Sequence, residues 1–114
     1  MYSWREFGRE AEFLVASYLK TRGWNIRFSP LSRGAADIVA HKNGETWCIQ
    51  VKASLKSPHI KSKEIRELKE YACSVRGLPV LALVQPWQNE NGGVSIGQYM
   101  IFLRSASNWE LMQT

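Results

Sequence analysis

The chain has 114 residues and a formal net charge of +5, and 45% of its residues are hydrophobic and 22% charged. This is the length and composition of one folded domain, which we expect to span residues 1–114, and a disordered chain is excluded. No run reaches the ~18 apolar residues of a membrane span, and the first residues lack the apolar stretch of a signal peptide. The sequence therefore predicts a cytoplasmic protein.

The two cysteines, Cys48 and Cys73, lie in unrelated segments, and neither has a second cysteine at CxxC spacing. They are too few for a disulfide framework, and their spacing argues against zinc binding and dithiol chemistry. We expect both to be buried, reduced thiols.

Positive charge is concentrated in one segment. Between Lys52 and Lys69 lie six Lys or Arg residues against two acids, Glu64 and Glu67. A basic excess favours polyanionic partners through Coulomb attraction and counterion release. The same pattern is also typical of a solvated loop and helix face, so charge alone leaves both interpretations open.

The first half of the chain predicts a helix followed by three strands. Apolar residues at positions 7, 11, 14, 15, 18 and 19 have helical spacing, Ser3 and Glu6 resemble a capping box, and Gly23 ends the helix. Alternation predicts a strand over residues 24–28, and residues 29–34 form a loop. A short strand over residues 37–40 and a return strand over residues 46–52 flank Asn43-Gly44, a strong hairpin turn.

The second half predicts a helix and two further strands. A loop over residues 54–61 leads to a helix from Ser62, which residues 77–79 end. The apolar run 80–84 is typical of a strand covered on both faces. Residues 86–93 form a polar turn in which Trp87 is expected at the surface, and residues 99–103 form the last strand. The order α-β-β-β-α-β-β predicts an α/β fold with a central mixed β-sheet flanked by helices.

The predicted hairpin places polar residues where a core strand is expected. Strand alternation puts Trp47, Ile49 and Val51 on one apolar face and Cys48, Gln50 and Lys52 on the other. A lysine in this setting needs a partner, and Asp37 on the neighbouring strand is the expected one. Glu12 adds a carboxylate at the edge of the first helix's apolar stripe.

These side chains are the parts of a metal-assisted phosphodiester hydrolysis. The oxygens of Glu12, Asp37 and Gln50 suit one Mg²⁺ ion, with Lys52 beside the attacking water or the scissile phosphate. Singly, each residue also has a structural interpretation. Glu12 would be solvated, Asp37 would cap the turn, and Gln50 and Lys52 would face water on an edge strand.

The same residues resemble a known family. Gly8 with Glu12, the run 37–40, and Gln50-Val51-Lys52 thirteen residues after Asp37 resemble the PD-(D/E)xK nuclease core. From residue 8 to 84 the chain is similar to the archaeal Holliday junction resolvases. The resemblance implies a restriction-endonuclease-like fold and a homodimeric endonuclease that cuts four-way DNA junctions with Mg²⁺, for which Mn²⁺ substitutes. No small-molecule cofactor and no membrane partner are expected.

The resemblance also implies residue roles. Glu12 and Asp37 would be metal ligands, Lys52 the catalytic lysine, and Ser32 the loop serine near the scissile phosphate. With the basic segment, it suggests DNA-backbone contacts at Arg9, Arg33, Lys56, Lys61 and Lys63. The second helix and the strand 99–103 carry more apolar residues than one small core needs, and we expect this surplus to serve the dimer.

One residue departs from the family pattern. Gln50 stands where these nucleases usually carry glutamate, so the site has one negative charge fewer and should bind metal more weakly. Glutamine is compatible with a natural branch and with an inactivating substitution. Two alternatives therefore stay open: another PD-(D/E)xK nuclease of mismatch or restriction type, and a catalytically weakened DNA-binding module on the same fold.

Overall fold

The computed structural model describes residues 4–29, 34–54, 60–87 and 92–114, with side chains from residue 7 onward. The helices are α1, Trp4–Thr21, and α2, Ser62–Ser74. The strands are β1, Asn25–Phe28; β2, Ile38–Lys42; β3, Glu45–Ala53; β4, Leu78–Pro86; β5, Val94–Ile96; and β6, Tyr99–Ser105. The predicted capping box at Ser3 lies outside the described residues.

The strands form one mixed sheet, as the sequence predicted, and their order in it is β1-β2-β3-β4-β6-β5. Among these described strands only β3 and β4 run parallel, and every other neighbouring pair is antiparallel. Parallel neighbours need a crossover connection, and α2 lies within the one that joins β3 to β4. Neither helix in the described part of the chain is long and apolar enough to cross a membrane.

The β2–β3 hairpin closes through the predicted two-residue turn. Asn43 and Gly44 have φ angles of 50° and 80°, the left-handed conformation that a type I′ turn requires at both positions. The register then runs from Lys42 opposite Glu45 to Ile38 opposite Ile49. It brings Asp37, which directly precedes β2, to the open end of the hairpin.

The first face of the sheet carries α1 and the larger core, which we call the α1 layer. Ala11, Val15 and Leu19 have no exposed surface, and they pack over the buried residues Trp47 and Ile49 of β3. The ring of Trp47 lies 4.3 Å from that of Trp24, centroid to centroid. Aromatic and aliphatic burial therefore fixes α1 against the hairpin.

The opposite face carries α2 and a smaller core, the α2 layer. Only Leu68 and Ala72 of α2 are buried, and they pack against residues of β3, β4 and β6. Cys48 lies in this core as predicted, and a Cβ added at Gly77 would stand 3.0 Å from its sulfur. The close approach explains why a glycine connects α2 to β4. Cys73, in contrast, is exposed, because it follows Ala72 on the helix and points away from the sheet.

Strand β4 is buried on both faces, as its apolar run predicted, but it begins two residues early. The residues from Val80 to Val84 are at most 7% exposed. The strand begins at Leu78 and includes Pro79, which the sequence assigned to the end of the helix. Since β6 pairs with β4 only from Val80, the missing N–H of Pro79 removes no bond from that ladder.

The last two strands correct the sequence interpretation. Strand β5 was not predicted, because three residues are too few to show alternation. It pairs along β6 and makes β6 an interior strand. Met100, Ile101, Phe102 and Leu103 are therefore all buried within one chain, at most 5% exposed. The expectation that this strand offers spare apolar surface to a dimer is wrong.

Candidate functional site

Two hydrogen bonds hold Asp37 against β3, one to each chain neighbour of Gln50. Its backbone N–H donates to the carbonyl of Ile49 at 2.8 Å, and its Oδ2 accepts from the N–H of Val51 at 2.8 Å. Only 8% of Asp37 is exposed. A carboxylate held by a backbone donor in this way has one orientation, so its remaining lone pairs face a defined point in space.

Glu12 approaches Asp37 from the helix. It is half-buried on α1, between the buried residues Ala11 and Ala16. Burial raises the pKa of the Glu12 carboxyl, the negative charge of Asp37 raises it further, and the nearby Arg9 guanidinium lowers it. The two carboxylates are therefore close enough for their charges to interact.

The pKa of Asp37 is also raised, mainly by burial. The hydrogen bond from Val51 and the charge of Lys52 lower this pKa, while the charge of Glu64 raises it. Raised values mean that both carboxylates are desolvated without full neutralisation. Such a pair favours a bound cation.

Gln50 and Lys52 lie on the face of β3 that the alternation predicted. Cys48 on the same face is in the α2 layer, whereas Trp47, Ile49 and Val51 belong to the α1 layer. Lys52 is 27% exposed at its side chain and forms an ion pair with Glu64 of α2, which is 29% exposed. The sequence named Asp37 as the partner of this lysine. The structure pairs it with Glu64, and Lys52 acts on Asp37 through its charge.

Glu64 is the site residue that sequence reasoning missed. It was counted only as one of two acids in a basic segment. The signal was its position, because it precedes the core residue Leu68 by four and so lies on the same side of α2. A carboxylate in line with the buried face of a helix needs a partner, and Lys52 provides it.

The donor set fits a hard divalent cation. In the described ranges, no three His, Cys, Asp or Glu side chains are grouped so that they could hold a metal ion. The site offers two carboxylates, Glu12 and Asp37, and the amide of Gln50 beside the hydrogen bonds of Asp37. All three side chains supply oxygen, the donor that Mg²⁺ and Ca²⁺ prefer, and none supplies sulfur or imidazole.

The predicted DNA contacts are only partly described. Arg9 is exposed on α1 near Glu12, and Lys61 and Lys63 are exposed at the beginning of α2. Lys63 lies 3.8 Å from the carboxylate of Glu67, a solvated pair one helical turn apart. The remaining candidates lie outside the described residues: Ser32, Arg33 and Lys56.

Two exposed aromatic rings lie close to the carboxylates. Phe13 is 63% exposed and Phe28 39%, and their ring centroids are 5.5 Å apart. Together with Arg9 and Glu12 they line an open groove of about 300 Å³. Trp87 is 59% exposed, as the sequence predicted.

Comparison with known proteins gives a consistent result. Residues 3–96 match the family model described as archaeal Holliday junction resolvase (Hjc). The fold is similar to the 1.6 Å structure of Hjc from Archaeoglobus fulgidus, a Holliday junction resolvase from an archaeal hyperthermophile. The TM-score is 0.65 at 18% identity, covering 90% of this chain and 86% of that one. This likeness confirms the predicted restriction-endonuclease-like architecture. No curated protein sequence gives a significant match.

Proposed function

This chain belongs to the archaeal Holliday junction resolvase family, and from that premise we propose that it cuts four-way DNA junctions symmetrically at the Glu12–Asp37 site with Mg²⁺. The observation that carries the proposal is the geometry of Asp37. Its buried carboxylate is hydrogen-bonded at Val51 and repels the carboxylate of Glu12. Folding gains nothing from this arrangement, because bringing two desolvated like charges together costs free energy.

The oxygens of Glu12, Asp37 and Gln50 would hold the ion, and Mn²⁺ is expected to substitute for Mg²⁺. When bound, such an ion lowers the pKa of water and stabilises charge on a phosphoryl oxygen. The protein's own contribution is orientation. The hydrogen bond from Val51 prevents Asp37 from rotating, and the rigid hairpin fixes the position of Gln50 relative to it.

Lys52 acts on the phosphate. Its ammonium lies on the same strand face as Gln50, two residues further on, and is partly withdrawn from water. A cation in this position would donate to a phosphate oxygen and stabilise the additional charge of the transition state. Ser32 remains the candidate for a second donor from the loop before Asp37.

The basic residues would align the DNA backbone with the site. Arg9 on α1, and Lys61 and Lys63 at the beginning of α2, are exposed. Phosphate contacts of this kind position the duplex without reading its sequence. Such a distribution suits an enzyme that recognises the shape of its substrate.

Symmetric cutting requires two sites, so we propose a C₂ homodimer. A four-way junction has near two-fold symmetry, whereas the single domain proposed for this chain carries one Glu12–Asp37–Lys52 site. Sedimentation equilibrium at micromolar concentration should give about twice the 13.1 kDa chain mass. A monomer that nicks both strands of a junction in one binding event would contradict the dimer but leave the active site untouched.

The test of function compares three labelled substrates: a synthetic four-way junction, a linear duplex and a flap, each with Mg²⁺ or Mn²⁺. Symmetric nicks in the junction alone are expected. Cuts in the duplex or flap would favour a mismatch- or restriction-type nuclease. Tight junction binding without cutting would favour a catalytically weakened DNA-binding module. Asp37→Asn is the matched control, because it keeps an acceptor for the Val51 N–H and removes the charge.

A further inference from the structure

The carboxylate of Glu64 faces Lys52 and is partly withdrawn from solvent. Its side chain is 29% exposed and is ion-paired with Lys52, whereas its helix neighbour Lys63 is 73% exposed and lies in solvent. The Glu64 carboxylate is also close enough to Asp37 for the two charges to repel each other. The charge of Glu64 on α2 therefore acts on both Lys52 and Asp37, which lie at the open end of the hairpin.

The net charge of the site suggests what the Lys52–Glu64 ion pair contributes. With glutamine at position 50, the carboxylates of Glu12 and Asp37 are opposed by Lys52 and, more distantly, by Arg9. Two acids against two bases would leave little net attraction for a divalent cation. Glu64 restores the balance toward negative, and it does so from the second helix.

We propose that Glu64 is a positioning residue that holds the Lys52 ammonium away from the two carboxylates and supplies the negative charge that Gln50 lacks. This inference rests on the proposed function, since it assigns a role within the same site. The charge of Lys52 already acts on Asp37, so without Glu64 the lysine would compete with the cation for that carboxylate. With Glu64, the lysine stays available for phosphate and Asp37 for metal.

A purely structural role makes a different prediction. Glu64 lies in the first turn of α2, where a negative charge also stabilises a helix through its dipole. If this were its only task, its loss would lower the stability of the α2 layer. A new carboxylate on β3 could not compensate for that loss.

The test combines Glu64→Gln, Gln50→Glu and the double variant, with Glu70→Gln as control. Glu70 is an exposed acid on the same helix, so its variant makes the same charge change away from the site. Cleavage of a labelled junction is measured in single turnover across a range of Mg²⁺ concentrations. Glu64→Gln should slow cleavage about tenfold at low Mg²⁺, the effect expected of one charge at this range. Gln50→Glu in the same chain should restore the rate to within a few-fold, and Glu70→Gln should match the wild type.

A second measurement does not depend on activity. Mn²⁺ binding to the DNA-free protein, followed by calorimetry, should weaken about five- to tenfold in Glu64→Gln and recover in the double variant. Unchanged cleavage and unchanged Mn²⁺ affinity in Glu64→Gln would overturn the proposal. So would faster cleavage, or a loss that Gln50→Glu does not repair and that accompanies a lower melting temperature. If the wild type cuts no junction, the proposed function fails, while the Mn²⁺ measurement still decides the role of Glu64.

Discussion

The two faces of the sheet are covered by different kinds of side chain. The α1 layer is built from large apolar side chains, with Trp24 stacked on Trp47 and helix residues of no exposed surface. In the α2 layer the helix contributes Leu68 and Ala72 fully buried and Ile65 and Tyr71 partly buried, and most of its other residues are charged. The first layer supplies most of the hydrophobic free energy, and the second presents charge. The site lies where they meet, taking Glu12 from one layer and Glu64 from the other.

The largest expected effect is on the rate of junction cleavage at the site between the two layers. Asp37→Ala and Asp37→Asn should each reduce junction cleavage by at least about a thousandfold, because a metal ligand is lost. Junction affinity should stay within a few-fold, since phosphate contacts supply most of it. Only Asp37→Ala should also destabilise the fold, by about 1–3 kcal/mol, because the Val51 N–H loses its acceptor. Cleavage kinetics and urea unfolding of both variants separate the two roles. Normal cutting by either variant would remove Asp37 from the mechanism.

The second prediction compares the cores of the two layers directly. Trp47→Ala should lower the free energy of unfolding by about 3–5 kcal/mol, and Leu68→Ala by about 2–3 kcal/mol. Both residues are at most 1% exposed, but the smaller α2 layer should collapse more readily around a cavity. Urea denaturation of the metal-free protein measures both values. Equal losses would mean that the α2 layer carries as much of the stability as the α1 layer.

The third prediction concerns the charges that the α2 layer presents. If ~6 phosphates are neutralised per protein dimer, log K for junction binding should fall with log[salt] at a slope of about −5. Charge reversal of Lys61 and Lys63 should weaken junction and duplex binding alike, by about tenfold or more. Lys20→Glu, at the far end of α1, is the matched control and should have little effect. Fluorescence anisotropy across a salt series measures all of these. A slope near zero would mean that the basic segment is a solvated face that does not contact DNA.

The smallest expected effect is what the site itself costs in stability. Burial raises the pKa of Asp37 above its ordinary value of 3.8, so its ionised form is disfavoured in the folded state. Below pH 3.8 the carboxyl is protonated in the folded and the unfolded state and costs no stability. As pH rises from 3.8 through the folded-state pKa, the unfolded state ionises more readily, so the free energy of unfolding falls. Asp37→Asn should therefore be more stable than the wild type at pH 7, with the gain vanishing near pH 3.5. Thermal unfolding of both proteins across this pH range, with a chelator present, tests this.

The sequence predicted which residues belong to each layer better than it predicted the contacts between elements that form the site. Side-chain alternation in β3 and the Asn43-Gly44 turn fixed which residues face which helix, because strand and turn geometry are local properties. The expectation that Glu12 and Asp37 converge came from their residue types and positions, and the family resemblance pointed the same way. The partner of Lys52 was misassigned because the contact depends on how α2 docks, which no local pattern encodes. Strand β5 was missed for a related reason, since its three residues are defined by their pairing with β6.

The parallel pairing of β3 with β4 has a consequence for how the site assembles in time. The β2–β3 hairpin closes between Lys42 and Glu45, neighbours in sequence, and such hairpins form within microseconds. Trp47 must find Leu78 across the whole α2 crossover, a much longer loop whose closure costs more entropy. Asp37, Gln50 and Lys52 should thus adopt their mutual arrangement early, on an otherwise unfinished sheet. Glu64 follows Lys52 closely in sequence, but its helix is held on the sheet by Leu68 and Ala72, which pack against residues of β4 and β6 as well as β3. The Lys52–Glu64 ion pair should therefore become persistent only after β4 has joined the sheet.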